Sequence, residues 1–246
     1  MVTELPGFSR AAAATKAAEE GSPGTTTSEA SISAGPVTVA KAVAKELGFS
    51  CLDTGAMYRA IAWRALQDGV ALDDESALGV IARTYDIAFG HVEGDPVPRR
   101  VFIGDDEVTD AIRTAEIDRA VSPVSAAPAV REALLDQQRR IGNAGDYVVE
   151  GRDIGTVVFP DAAVKVFLTA SDEERAHRRV RQNVDRGIGS IDYDEVLADL
   201  RRRDAADSSR ATAPLRPADD AVHIDSTAHY IEEVIEQICT LAREAR

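Results

Sequence analysis

From Thr38 onward the apolar positions Val39, Val43 and Leu47 recur every fourth residue and Gly48 follows them. That spacing predicts an amphipathic helix with a glycine C-cap. "FSCLD" (49–53) then predicts a short buried strand, and "AMYRAIAWRALQDG" (56–69) a second helix. Residues 85–108 alternate more and carry Gly and Pro, which predicts a small antiparallel sheet. Helical periodicity returns in "AEIDRAVSPVSA" (115–126) and "PAVREALLDQQRRIG" (128–142). Three later apolar runs, "DYVVEG", "AVKVFLTA" and "DAVHIDS", are separated by helices and predict buried parallel strands. Ser171-Asp172-Glu173-Glu174 is a capping-box start for an Arg-rich helix through Arg181. "YDEVLADLRRRDAADSSR" predicts a helix running into a loop, and Ile231, Val234, Ile235, Ile238 and Leu241 mark a terminal amphipathic helix. Strands alternating with helices predict an α/β fold, a mostly parallel sheet flanked by helices. No internal repeat is present.

The first 35 residues have a different texture. They are rich in Ala, Gly, Ser and Thr, too poor in large apolar side chains to offset the cost of ordering, so a disordered segment is expected. The whole chain of 246 residues is long enough for one sizeable core with a small inserted lobe. Its net charge of −14 argues against general binding to nucleic acid or anionic membranes. No apolar run reaches the length of a membrane span and the N-terminus lacks a signal-peptide core, so a cytoplasmic protein is expected. Cys51 and Cys239 match no metal spacing, nor do the four His, and both thiols are expected to be buried.

The basic residues are mostly Arg, whose planar fork suits phosphate and carboxylate. Position matters more than number. Ligands of open α/β sheets bind at the carboxyl ends of the strands. "FSCLD" runs into Thr54-Gly55-Ala56-Met57-Tyr58-Arg59, and "YVVEG" into Arg152-Asp153-Ile154-Gly155-Thr156. The helix after "AVKVFLTA" carries Arg175, Arg178, Arg179 and Arg181, and a fourth cluster holds Arg201, Arg202, Arg203, Asp204, Asp207 and Arg210. Arginines converging from separate elements call for an anion between them, with a substrate phosphate the natural candidate. The alternative is that each pairs with a nearby carboxylate on a solvated face. Asp153 is either the ion partner of Arg152 or an acceptor for a ligand amino group.

"LDTGAMYRA", "AVSPVSAAPAVREAL", "EGRDIGTVVFPDAAVKVFLTAS", "ERAHRR" and "RRRDAADSSRATAPL" resemble the signature segments of bacterial cytidylate kinases. The similarity runs from about Val39 to the C-terminus. It implies a P-loop nucleoside monophosphate kinase fold, with an α/β core over residues 36–70 and 145–246. A short lid near 175–190 and an inserted NMP-binding lobe over 71–144 are implied with it. The implied reaction moves the γ-phosphoryl of ATP to CMP or dCMP with Mg²⁺, and a monomer is expected. On this resemblance Thr54, Tyr58, Arg59, Ser122, Arg131, Arg152, Asp153, Arg203, Asp207 and Arg210 bind the acceptor nucleotide. Gly35, Thr38, Arg178 and Arg179 meet ATP, Thr38 meets the metal, and Arg59, Arg152 and Arg178 are the catalytic arginines.

One part of the family pattern is missing. Aligned backwards from Thr54 without gaps, Pro36 falls on the P-loop lysine, Val37 on the residue after it and Thr38 on the next; only Gly35 keeps its glycine. Pro36 removes a backbone donor. Neither Pro nor Val supplies the lysine charge that meets the β- and γ-phosphates. None of the four lysines follows a glycine, and "GTTTSEAS" stands where an apolar strand is expected to feed the loop. A shifted reading frame or start upstream, a paralogue that binds CMP without ATP chemistry, and an enzyme with a displaced phosphate loop all fit this break. The expectation is a cytidylate kinase impaired as written, the alternative a non-catalytic CMP-binding module.

Overall fold

The computed structural model describes residues 11–16, 36–209 and 215–245. Its main sheet has five parallel strands: β1 (Ala11–Lys16), β2 (Ser50–Asp53), β6 (Tyr147–Gly151), β7 (Val164–Thr169) and β8 (Val222–Asp225), in the spatial order β2-β6-β1-β7-β8. A second, antiparallel sheet of three strands is formed by β3 (Ile87–Gly90), β4 (Arg100–Ile103) and β5 (Asp106–Glu107). The helices are α1 (Pro36–Leu47), α2 (Thr54–Gln67), α3 (Glu75–Thr84), α4 (Ala115–Ala126), α5 (Pro128–Gly142), α6 (Asp172–Arg186), α7 (Tyr193–Ser208) and α8 (Ile231–Glu244).

Successive side chains of a strand point to opposite faces, and here they divide the core in two. Cys51, Val148, Val166 and Leu168 pack with Val39 and Val43 of α1 and Val234 and Ile238 of α8. Their neighbours Leu52 and Val149 belong to the other face, with Met57 and Ile61 of α2, Leu78 of α3, Ile103 of β4 and Leu134 of α5. The every-fourth-residue stripe of α1 is thus its sheet-facing side. Both cysteines are free and buried; burial, with Asp53 nearby, pushes the Cys51 thiol up to about 12, so it stays neutral. No helix among the described residues is long and apolar enough to cross a membrane.

The expected disordered segment is corrected at Ala11–Lys16. This alanine-rich stretch is a strand in the middle of the main sheet, with its backbone paired to β6 on one side and β7 on the other. Parallel ladders on both edges satisfy its N–H and C=O groups, which a local count of large apolar residues does not register. The central strand is therefore supplied, upstream of where the gapless alignment looked for it. The remainder of residues 1–35 lies outside the described residues. Three smaller differences follow. Helix α3 had no counterpart in the periodicity, because it is short and its N-terminus is set by the Asp74 side chain accepting from the Ala77 amide. Helix α6 runs past Arg181 to Arg186 and stops at Gly187, whose φ of 63° suits a left-handed C-cap. Strand β8 lies at the sheet edge with only Ile224 buried.

Candidate functional site

A cavity of about 460 Å³ opens over the carboxyl ends of β2, β6 and β7. Its floor is set by short-range geometry. The Asp53 carboxylate caps α2 by accepting from the Ala56 amide at 3.0 Å, and Thr54 Oγ1 donates to the Glu150 carbonyl at 2.8 Å. That bond locks the β2–α2 junction to β6. Gly151 is required beside it, because a Cβ there would lie 2.3 Å from Thr54 Oγ1. Directly after β6 the chain turns through a π-helical segment, Ile154–Val158, which leaves Arg152 and Asp153 projecting into the cavity from the strand end.

Arginine–carboxylate pairs from different elements line the walls. Arg131 on α5 pairs with Asp153; both side chains are about nine-tenths buried. The Arg131 guanidinium also donates to the Ser125 carbonyl at 3.1 Å and lies over the Tyr58 ring, 5.6 Å from its centroid. Burial works to lower the pKa of Arg131, but Tyr58 and Asp153 outweigh it and hold it above its ordinary value. Arg152 pairs with Asp207 of α7, and Asp204 lies 3.6 Å away. Of the two roles open to Asp153, partner of Arg152 is therefore set aside: its partner is Arg131, 22 residues earlier in the chain.

The helical arginines divide. Arg201 and Arg202 are exposed and pair with Asp172, Glu173 and Asp199, as a solvated face would have them. Arg178, Arg179 and Arg203 turn into the cavity instead. Arg178 is held by Glu174 at 2.7 Å and by Ser226, donating to its hydroxyl at 3.0 Å and its carbonyl at 2.7 Å. Arg59 donates to the Ile112 carbonyl and pairs with Asp118 of α4. Arg179 takes the other oxygen of the same carboxylate at 2.7 Å, and Arg203 donates to the Asp118 carbonyl. Burial tends to raise the Asp118 pKa, but Arg59 and Arg179 hold the carboxyl below its usual range. Burial, with Arg59 and Arg179 close by, pulls Arg203 below its own.

The cavity gathers Thr38, Thr54, Tyr58, Arg59, Ser122, Arg131, Arg152, Asp153, Arg178, Arg179, Arg203 and Asp207 from six helices and the turn after β6. Gly35 and Arg210 lie outside the described residues. Lys41 and Asp118 are among the charged lining residues that the sequence reading did not single out. Each had a helical signal: Lys41 lies three residues from Thr38 on α1, and Asp118 four before Ser122 on α4, spacings that share a face. Among the described residues no group of three or more His, Cys, Asp or Glu is gathered for a metal. Magnesium keeps much of its water and is held largely by substrate phosphates. The Thr38 hydroxyl at the cavity wall is a donor that fits an ion arriving in that way.

Comparison with known proteins agrees with this geometry. Residues 30–244 match the family model described as cytidylate kinase. The chain is 48% identical over 209 residues to a cytidylate kinase of Saccharophagus degradans, covering 85% of this chain and 92% of that protein. It is 48% identical over 205 residues to one of Pseudomonas aeruginosa, covering 83% and 89%. It is 45% identical over 213 residues to one of an Exiguobacterium species, covering 87% and 93%.

Proposed function

This chain belongs to the cytidylate kinase family. On that premise we propose that it transfers the γ-phosphoryl group of ATP to CMP or dCMP, with turnover lowered by Gly35-Pro36-Val37-Thr38 at the donor side. The carrying observation is the single cavity in which Arg59, Arg152, Arg179 and Arg203 surround the ends of β2 and β6, beside Asp153 and Asp207.

Arg59, Arg152 and Arg203 meet the acceptor's phosphate, each offering forked donors to a dianion. Asp153 accepts from the exocyclic amino group of cytosine, with Arg131, Ser122 and Thr54 around the base. Asp207 accepts from the ribose, and Arg210 completes that set. The reaction needs no external base. A phosphate oxygen of CMP forms a bond to the γ-phosphorus as the bond from that phosphorus to the β-bridging oxygen breaks, and ADP leaves with the electron pair. Arg178 and Arg179 face the transferring group and offset charge on it, together with Arg59 and Arg152. Magnesium, arriving with the donor's phosphates and met by the Thr38 hydroxyl, would neutralise part of the charge on the transferring group.

Turnover is low because a phosphate cradle uses successive backbone N–H groups and a lysine. Here the chain enters α1 with Pro36, which suits the first helical position but brings no N–H. Losing one preorganised stabiliser commonly costs about 10²–10³ in rate. Calorimetry should give tighter binding of CMP than of UMP, and a coupled assay should give slow, CMP-dependent formation of ADP. CMP binding with no CMP-dependent ADP would leave the non-catalytic CMP-binding module as the function; equal affinity for CMP and UMP would remove the cytosine assignment.

A further inference from the structure

Asp118 is a carboxylate in the cavity that the acceptor chemistry does not use. Its carboxylate bridges two arginines from distant elements, Oδ1 to Arg59 of α2 at 2.5 Å and Oδ2 to Arg179 of α6 at 2.7 Å. Arg203 of α7 reaches its backbone carbonyl. Two oxygens of one anion, each taken by a separate guanidinium, is the way a phosphate is held. Two guanidinium groups share this carboxylate and Arg203 lies beside it, with Asp199 also acting on Arg203; a dianion in the carboxylate's place would bring them more negative charge. The carboxylate stays in place because it is tethered: as part of α4 it is present at an effective concentration no free anion matches at low micromolar levels.

We propose that Asp118 is an internal occupant of the acceptor-phosphate site, displaced when the phosphate of a nucleoside monophosphate enters, and that it thereby sets the affinity for the acceptor. The proposal rests on the reading that Arg59 and Arg203 receive that phosphate while Arg179 faces the transferring group beside it. Because Arg179 lies on α6 and Asp118 on α4, the same contact ties these two helices together in the nucleotide-free protein, and the arriving phosphate takes over the tie. A phosphate must overcome the carboxylate before it gains the arginines. A nucleoside without phosphate neither meets this barrier nor benefits when it is removed.

The test is Asp118→Asn, with Asp118→Ala as a second variant that also lacks the charge. The side chains of Asp118, Arg59 and Arg179 are each about a fifth to a third exposed, so the two ion pairs are partly screened. Their loss should tighten CMP binding by about 5- to 20-fold. Inorganic pyrophosphate should bind more tightly by a similar factor and raise the melting temperature of the variant more than that of the parent. Cytidine affinity should not change. In the parent protein, CMP should shift the Asp118 carboxyl carbon resonance toward that of a free carboxylate. CMP and pyrophosphate affinities equal to or weaker than the parent's, or an Asp118 resonance indifferent to CMP, would overturn the proposal. If neither protein binds CMP while pyrophosphate still binds the variant more tightly, the acceptor assignment fails, and with it the claim on acceptor affinity, whereas Asp118 as the occupant of a phosphate site stands.

Discussion

At the scale of single residues, the proposed function makes the discrimination between cytosine and uracil depend on one buried carboxylate. Asp153 lies directly after β6 with its side chain 8% exposed, paired with Arg131 and lining the cavity. A carboxylate accepts from the amino group of cytosine and opposes the carbonyl of uracil. Asp153→Asn keeps the shape, removes the charge and adds a donor. Mismatching a buried polar group costs about 1–3 kcal/mol. The variant should therefore bind CMP about 5- to 100-fold more weakly, with UMP unchanged or improved. Calorimetry with both nucleotides decides it, and an unaltered CMP-to-UMP ratio would remove Asp153 from base selection. Arg152 and Asp153 stand out in the sequence by their place after an apolar strand, but their partners do not. Arg131 and Asp207 reach them from helices elsewhere in the chain, and neighbours in sequence were the wrong place to look for the ion pair.

At the scale of elements, α1 is where the proposed function puts the donor-side residues that can be placed in the structure. Its apolar stripe, Val39 and Val43, packs on the sheet, which places Thr38 and Lys41 on the face that lines the cavity. The stripe was legible because it is local and periodic. The strand that precedes it was not. Alanine is depleted in strands, and the partners that make Ala11–Lys16 a strand are residues 147–151 and 164–168, a separation no window along the chain spans. The antiparallel pair β3–β4 sits within a dozen or so residues and was legible for the opposite reason. Lys41 is one turn inside α1, beyond the position a P-loop lysine takes, and it is the α1 cation at the cavity wall. Lys41→Met should weaken binding of ATP by about 3- to 10-fold, the effect of one partly screened charge pair. It should leave CMP affinity as it is, because the acceptor's residues come from α2 and α4–α7. Equal ATP affinities in the two proteins would show that Lys41 does not meet the donor.

At the scale of the whole molecule, the position of β1 changes what a repair has to supply. With Ala11–Lys16 paired on both edges, the five-stranded sheet is complete and both of its apolar faces are covered. On the proposed function the defect would be confined to what connects β1 to α1, and the proposed acceptor residues, which come from other elements, would be untouched by it. Replacing residues 17–37 with a glycine-rich loop ending in Gly-Lys-Ser, joined directly to Thr38, keeps the strand and the helix. It restores three things at once: the successive backbone donors, the lysine charge and an N–H in place of Pro36. Turnover should rise by at least about 10³-fold. ATP affinity should rise with it, while CMP affinity and the melting temperature stay close to those of the parent, since neither the sheet nor the arginine cluster is altered. A coupled assay of both chains, with CMP calorimetry as the control, measures each of these. Should the unrepaired chain turn over near the rate of the repaired one, residues 17–35 already supply a phosphate cradle. The argument from the absent lysine would then fail, although the acceptor site would be unaffected by that result.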